Sequence, residues 1–178
     1  GGTVAWLYFL DSGGGTFPEA VPADAVGWYM RTGEQLNPGF PSNAPELVFL
    51  HIPMRGFPSA AGSNASCWGG MANETGAFQD EEYDAGLEAA VKGRAPRAVF
   101  AGHNHGIDAC CAAPWSEGSG QGSVLRTTLC NGRHTGYGGY HEPAWGMRGA
   151  RVVDIEEDGS MSTWVAFEDG SHRFDGAL

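Results

Sequence analysis

The sequence predicts an α/β fold, a parallel βαβαβ unit followed by mostly antiparallel strands. Short uninterrupted apolar runs recur three times, the pattern of strands buried on both faces. Two stretches of helical length and periodicity separate them. Near the end, two strand-like runs flank Asp158-Gly159, a strong hairpin turn signal.

The elements follow in order. Val4 to Leu10 is the first apolar run, closed by Asp11-Ser12-Gly13. Asp24 to Leu36 reads as a helix with Asp24 as N-cap and Val26, Trp28 and Tyr29 on its apolar side. Prolines 38, 41 and 45 then exclude helix, and Glu46 to Ile52 is the second strand, stopped by Pro53. Met54 to Gln79 is a long Gly/Ser/Asn stretch of the kind that is usually functional or glycosylated surface. Asp80 to Val91 is the clearest helix, with Tyr83, Leu87 and Val91 four residues apart and Gly93 where a C-cap belongs. Its acidic start, Asp80-Glu81-Glu82, reads as helix-terminus electrostatics rather than a metal site. Arg97 to Ala101 is the third buried strand, and Ser123 to Cys130 a further one. Ala150 to Ile155 and Met161 to Phe167 form the hairpin.

Composition narrows the function classes. Hydrophobic residues make up 42% and charged residues 17%, which excludes a disordered chain. The net charge of −11 argues against nucleic acid as a partner, because phosphate backbones need clustered Lys and Arg. No apolar run approaches the roughly 18 residues of a membrane span. The chain opens on Gly1-Gly2-Thr3 without an initiator Met or signal peptide and enters a strand at once. Three parallel strands leave apolar faces and edges bare. Both features lead us to expect that further sheet lies upstream.

Cys67, Cys110, Cys111 and Cys130 contain no Cys-x-x-Cys pair, so a cysteine zinc site is not expected. Their even number and two nearby sequons, at Asn64 and Asn73, point to a secreted or vacuolar glycoprotein. The alternative is a cytosolic protein with four buried thiols. Cys110 or Cys111 is placed to pair with Cys130, leaving Cys67 for the other; three connectivities are open in principle.

Three of the six histidines sit where strands end. His51 closes the second strand, and His103 and His105 follow the third in Gly102-His103-Asn104-His105-Gly106. Open α/β sheets bind ligands beyond the carboxyl ends of their strands. Histidines one residue apart in extended backbone point the same way, and flanking glycines permit tight turning beside an ion. A lone strand-end His is ordinarily a surface polar group; the paired motif beside a second strand-end His favours metal binding. Imidazole suits Zn, Fe, Mn and Ni alike.

The wording from Leu10-Asp11-Ser12-Gly13 through Phe49-Leu50-His51-Ile52-Pro53 and Gly102-His103-Asn104-His105 to Gly132-Arg133-His134-Thr135-Gly136-Tyr137-Gly138-Gly139-Tyr140 resembles the calcineurin-like metallophosphoesterases, in their purple-acid-phosphatase-like and Dcr2-like branch. The resemblance implies the C-terminal half of a single metallophosphoesterase domain, a β-sandwich flanked by helices, with the N-terminal half in the same polypeptide or an associated chain. It implies two metal ions (Fe, Zn or Mn), one held by His51 and His103 and the other by His105. Paired ions would polarise a phosphoester substrate and hold a hydroxide for in-line attack. The family's upstream Asp-x-His, Gly-Asp-x-x-Asp and Gly-Asn-His motifs are not in this sequence. Three neutral imidazoles cannot balance two dications, so these residues alone should be inactive.

Other candidates stand further out. Arg133, His134, Tyr137, Tyr140 and His141 either line a substrate pocket or form a glycine-rich surface turn. Arg133 suits phosphate, and His134 suits proton transfer. Asp108 is placed to hydrogen-bond a ligating imidazole or to lie exposed in a loop. His172 reads as surface. Three functions are therefore open. One is a metal-dependent phosphoester hydrolase, to which this chain supplies part of the metal site. Another is a catalytically inactive glycoprotein keeping the fold as a scaffold or binding module. The last is a single-zinc hydrolase whose three imidazoles would all lie about 2.1 Å from one ion.

Overall fold

The computed structural model describes residues 2–39, 44–57, 67–70, 74, 76–116 and 126–178. Asn64 and Asn73, the two sequon positions, lie outside the described residues. The architecture is mixed α/β: a six-stranded sheet with two helices, and a separate three-stranded antiparallel sheet.

The large sheet is built from β1 (Trp6–Phe9), β2 (Glu46–Leu50), β3 (Cys67–Trp68), β4 (Ala98–Ala101), β5 (Cys110–Ala112) and β6 (Thr128–Asn131), in the order β1-β2-β4-β6-β5-β3. The first four in that order run parallel. β5 and β3 then add antiparallel at the far edge. The small sheet is β7 (Gly149–Ile155), β8 (Met161–Phe167) and β9 (His172–Ala177).

Burial explains the apolar runs. In β2, Val48 and Leu50 point into one core with Tyr8, Val99 and Leu129, which α1 (Ala23–Leu36) and α2 (Leu87–Arg94) cover through Val26, Tyr29, Leu87 and Val91. Leu47 points the other way, into a second core with Phe100, Cys110, Cys130 and Met161 from the small sheet. Side chains of a strand alternate between faces, so a sheet covered on both sides reads as continuous hydrophobicity. Beyond that cover, Phe9, Phe49 and Phe100 stack across three strands at 4.9 and 5.0 Å, and Phe9 at the β1 edge is 68% exposed.

The helices depart from expectation in detail. α1 starts one residue earlier, at Ala23 after Pro22, and Asp24 makes no capping bond to the second or third turn residue. Its buried side is Val26, Tyr29 and Gly33, while Trp28 stays 46% exposed. The expected helix from Asp80 divides into a 3-10 turn at Glu81–Tyr83 and α2 from Leu87. Gly86 takes φ 82° between them, a left-handed conformation that no α-helix accommodates. Tyr83 is consequently exposed, Gly93 lies inside α2, and Ala95 at φ 47° closes it. The side chain of Asp80 turns back to accept from the backbone N–H of Glu19.

Two disulfides join neighbouring strands: Cys67–Cys111 ties β3 to β5, and Cys110–Cys130 ties β5 to β6. They anchor two very short strands at an edge where a ladder of two or three residues gives little stability by itself. Strand β9 had no clear sequence signal, being polar; it pairs with β8 with a register shift between Thr163 and Val165. Among the described residues, no helix is long and apolar enough to cross a membrane.

Candidate functional site

The parallel strands bring their carboxyl ends to one edge of the sheet. Ser12 follows β1, His51 follows β2, Gly102 to His105 follow β4, and Arg133 and His134 follow β6. Each turn is fixed locally. The buried hydroxyl of Ser12 accepts from the backbone N–H of Ile52 at 2.7 Å and of His51 at 3.2 Å. The N–H of Gly102 donates to the His51 carbonyl at 2.9 Å. A Cβ on Gly102 would stand 3.0 Å from the His51 ring, so any side chain there would press on that imidazole.

The imidazoles divide into two groups. His51 Nε2 and His103 Nδ1 face each other at 3.4 Å. His103 has φ 63°, an uncommon conformation for a non-glycine residue. That inversion sends its ring towards His51, and it overturns the expectation from extended backbone that His103 and His105 would point together. His105 instead stacks on Tyr140 with ring centres 4.0 Å apart, and its Nδ1 donates to the Tyr140 carbonyl at 2.8 Å. Its neighbours are His134, at 6.0 Å between ring centres, and Trp145.

Glu74 and Trp145 were not among the sequence candidates, yet they complete this second group. Glu74 accepts from the Tyr140 hydroxyl at 3.0 Å and from the Gly106 N–H. A Cβ on Gly106 would collide with Trp145 and Glu74 at 2.8 and 2.9 Å. Glu74 sits inside a sequon and Trp145 follows Pro143-Ala144 in a short 3-10 turn, so neither carries a local signal of its partners.

Arg133 and Asp108 form a buried ion pair at 2.6 Å, with side chains 5% and 0% exposed. The remaining Asp108 oxygen accepts from Gly70 N–H at 2.6 Å. The Arg133 guanidinium also donates to the carbonyls of Met147 and Trp145, and it packs over Phe167. All three nitrogens are therefore engaged inside the protein. Tyr137 is 76% exposed, with its hydroxyl on Glu168 and Arg148 over its ring. His172 begins β9 opposite Ala166.

Burial lowers the pKa of His51 below its ordinary 6.5, and the neighbouring His103 and His105 add to this. Burial also lowers that of His134, outweighing the carbonyl of His105, with Arg133 acting in the same direction as burial. In both cases the shift favours the neutral ring, the form that ligates metals.

The fit to a metal pair is partial. Two nitrogens on one tetrahedral ion at about 2.0–2.1 Å lie about 3.4 Å apart, so His51 and His103 match two positions on one ion. His105 is turned to Tyr140 and does not join them. Among the described residues, no three His, Cys, Asp or Glu side chains gather as a ligand set, so a three-histidine zinc site is not formed. The described residues do not by themselves fit a binuclear centre.

Comparison with known proteins bears on the same point. No protein-family model matches the chain, and no solved structure matches it significantly. Probable inactive purple acid phosphatase 14 of Arabidopsis thaliana is 29% identical, covering 93% of this chain and 44% of its own length. Probable inactive purple acid phosphatase 29 of the same plant is 27% identical, covering 94% of this chain and 45% of its own length. This chain is a distant homologue of the purple-acid-phosphatase-like proteins of the metallophosphoesterase superfamily. It spans a little under half the length of these two relatives.

Proposed function

We propose that the chain forms the C-terminal part of a metallophosphoesterase-type β-sandwich kept as a scaffold or binding module in the secretory pathway, without phosphoester hydrolysis of its own. The observation that carries this reading is the division of the strand-end imidazoles. Only His51 and His103 face a common point, while His105 is held against Tyr140. Two neutral donors without a carboxylate do not balance a binuclear centre. The two relatives carry names that describe them as inactive, which agrees. The two disulfides fit an oxidising compartment.

One observation favours a second reading, a binuclear hydrolase whose acidic ligands come from sequence beyond these residues. The 3.4 Å spacing of His51 and His103 is that of two ligands on a single ion. The decisive experiment measures p-nitrophenyl phosphate hydrolysis by the longest natural form beside its His103→Ala variant. No turnover above that of the variant is expected. Hydrolysis that the variant loses, together with two metals per protein, overturns the scaffold reading in favour of the hydrolase.

A further inference from the structure

We propose that His134 and His141 form a separate mononuclear site for a zinc-class transition metal, which clips the glycine-rich segment between them onto the body of the domain. It rests on the geometry of these two rings and not on the reading above.

His134 is 3% exposed. Its Nδ1 lies 3.0 Å from the carbonyl oxygen of His105. A carbonyl can only accept, so Nδ1 carries the proton and Nε2 presents a bare lone pair. That Nε2 is buried and has no hydrogen-bond partner. The neighbouring ring is His141, its centre 4.8 Å away, and its Nδ1 is likewise buried without a partner. Buried polar groups are nearly always satisfied, so two orphans in adjacent rings call for something between them. Trp145, 8% exposed, walls both rings at 6.2 Å between centres.

A shared proton is excluded, since neither nitrogen bonds the other. Two imidazoles on one tetrahedral ion, with nitrogens at about 2.0–2.1 Å, place their ring centres about 5 Å apart. The observed 4.8 Å matches. A carbonyl fixing the far nitrogen of a ligating histidine is the usual support for such a ligand, and His105 supplies it to His134. The positive charge nearest in sequence, Arg133, is neutralised by Asp108. Imidazole selects Zn, Cu or Ni over Mg or Ca, and solvent would complete the coordination of a two-histidine site. The clipped loop holds Tyr137 and Tyr140, which are 76% and 51% exposed, and the ion would reinforce the contacts with Glu168 and Glu74 that already hold their hydroxyls.

The test is zinc titration of the chelator-stripped chain by calorimetry, with cobalt substitution read by visible absorbance. It uses the wild type, the His51→Ala/His103→Ala double variant, and His141→Ala. His141 is only half-buried, so its replacement leaves the core intact, and melting curves check this; His134→Gln serves as the second ligand variant. The double variant should retain one zinc and a tetrahedral cobalt spectrum. His141→Ala should lose that component by at least about tenfold, since even outer-shell changes cost about 10–100-fold. Zinc binding that disappears in the double variant, that persists unchanged in both His141→Ala and His134→Gln, or that the wild type lacks, overturns the proposal. The orphan nitrogens would then share a buried water. None of these results depends on phosphatase activity, so this site and the scaffold reading stand or fall separately.

Discussion

Replacing Asp108 by Ala would separate a structural role for Arg133 from a role in phosphate binding. The substitution removes the 2.6 Å partner of a guanidinium that is 5% exposed, and it also orphans the N–H of Gly70. Breaking a buried pair from one side costs about 3–5 kcal/mol, because the remaining charge is left without compensation. Arg133 keeps its carbonyl acceptors at Met147 and Trp145, which places the expected loss near the lower end, about 3 kcal/mol. Total stability of a domain is about 5–15 kcal/mol, so this is a large fraction. For a chain of this size the melting temperature should fall by about 6–12 °C. Arg133→Met in the Asp108→Asn background should recover most of the loss, since Met can still pack on Phe167 and no charge remains buried. Urea unfolding followed by tryptophan fluorescence, with the disulfides intact, compares the wild type, Asp108→Ala, Arg133→Met and the Asp108→Asn/Arg133→Met double variant. A loss below about 1 kcal/mol for Asp108→Ala would show that the pair is screened by solvent and carries no buried-charge cost, because that is what an exposed pair contributes. Weakened phosphate binding by Arg133→Met at unchanged stability would return Arg133 to the substrate.

Four further outcomes are expected. Arg94→Ala strips the guanidinium from Glu46, which is 0% exposed, and should cost about 3–5 kcal/mol in the same assay. Leu129→Ala, at the fully buried centre of the sheet, should cost about 2–5 kcal/mol and leave far-UV circular dichroism unchanged. Because the folded pKa values of His51 and His134 lie below 6.5, the unfolded chain binds more protons just below that pH. Their contribution is complete above 6.5 and is lost as pH falls through the folded values; urea midpoints of metal-free protein should drop with acidification, and less so in His134→Gln. Cys67–Cys111 closes a sequence separation of 44 against 20 for Cys110–Cys130, so loop entropy predicts contributions of roughly 4 and 3.3 kcal/mol. Paired Cys→Ser variants, compared by urea midpoint, test that order.

The sequence alone determined the large elements. The apolar runs around Tyr8, Val48 and Val99 became parallel neighbours because a strand covered on both faces can be read without knowing its partners. It also located the histidines at strand ends, since a strand that stops at Pro53 or Gly102 announces its edge. The two disulfides follow one of the pairings left open, with β5 lying between β3 and β6. Tertiary structure alone decided the direction of each side chain. His103 turns to His51 because its backbone is left-handed, a state that residue type does not predict. Arg133 is engaged by Asp108, 25 residues before it, and by two carbonyls 12 and 14 residues after it, and Glu74 reaches Tyr140 across 66 residues. Backbone pattern is a local property of the chain, whereas the direction and partner of a polar side chain are fixed only when loops from separate strands close around it.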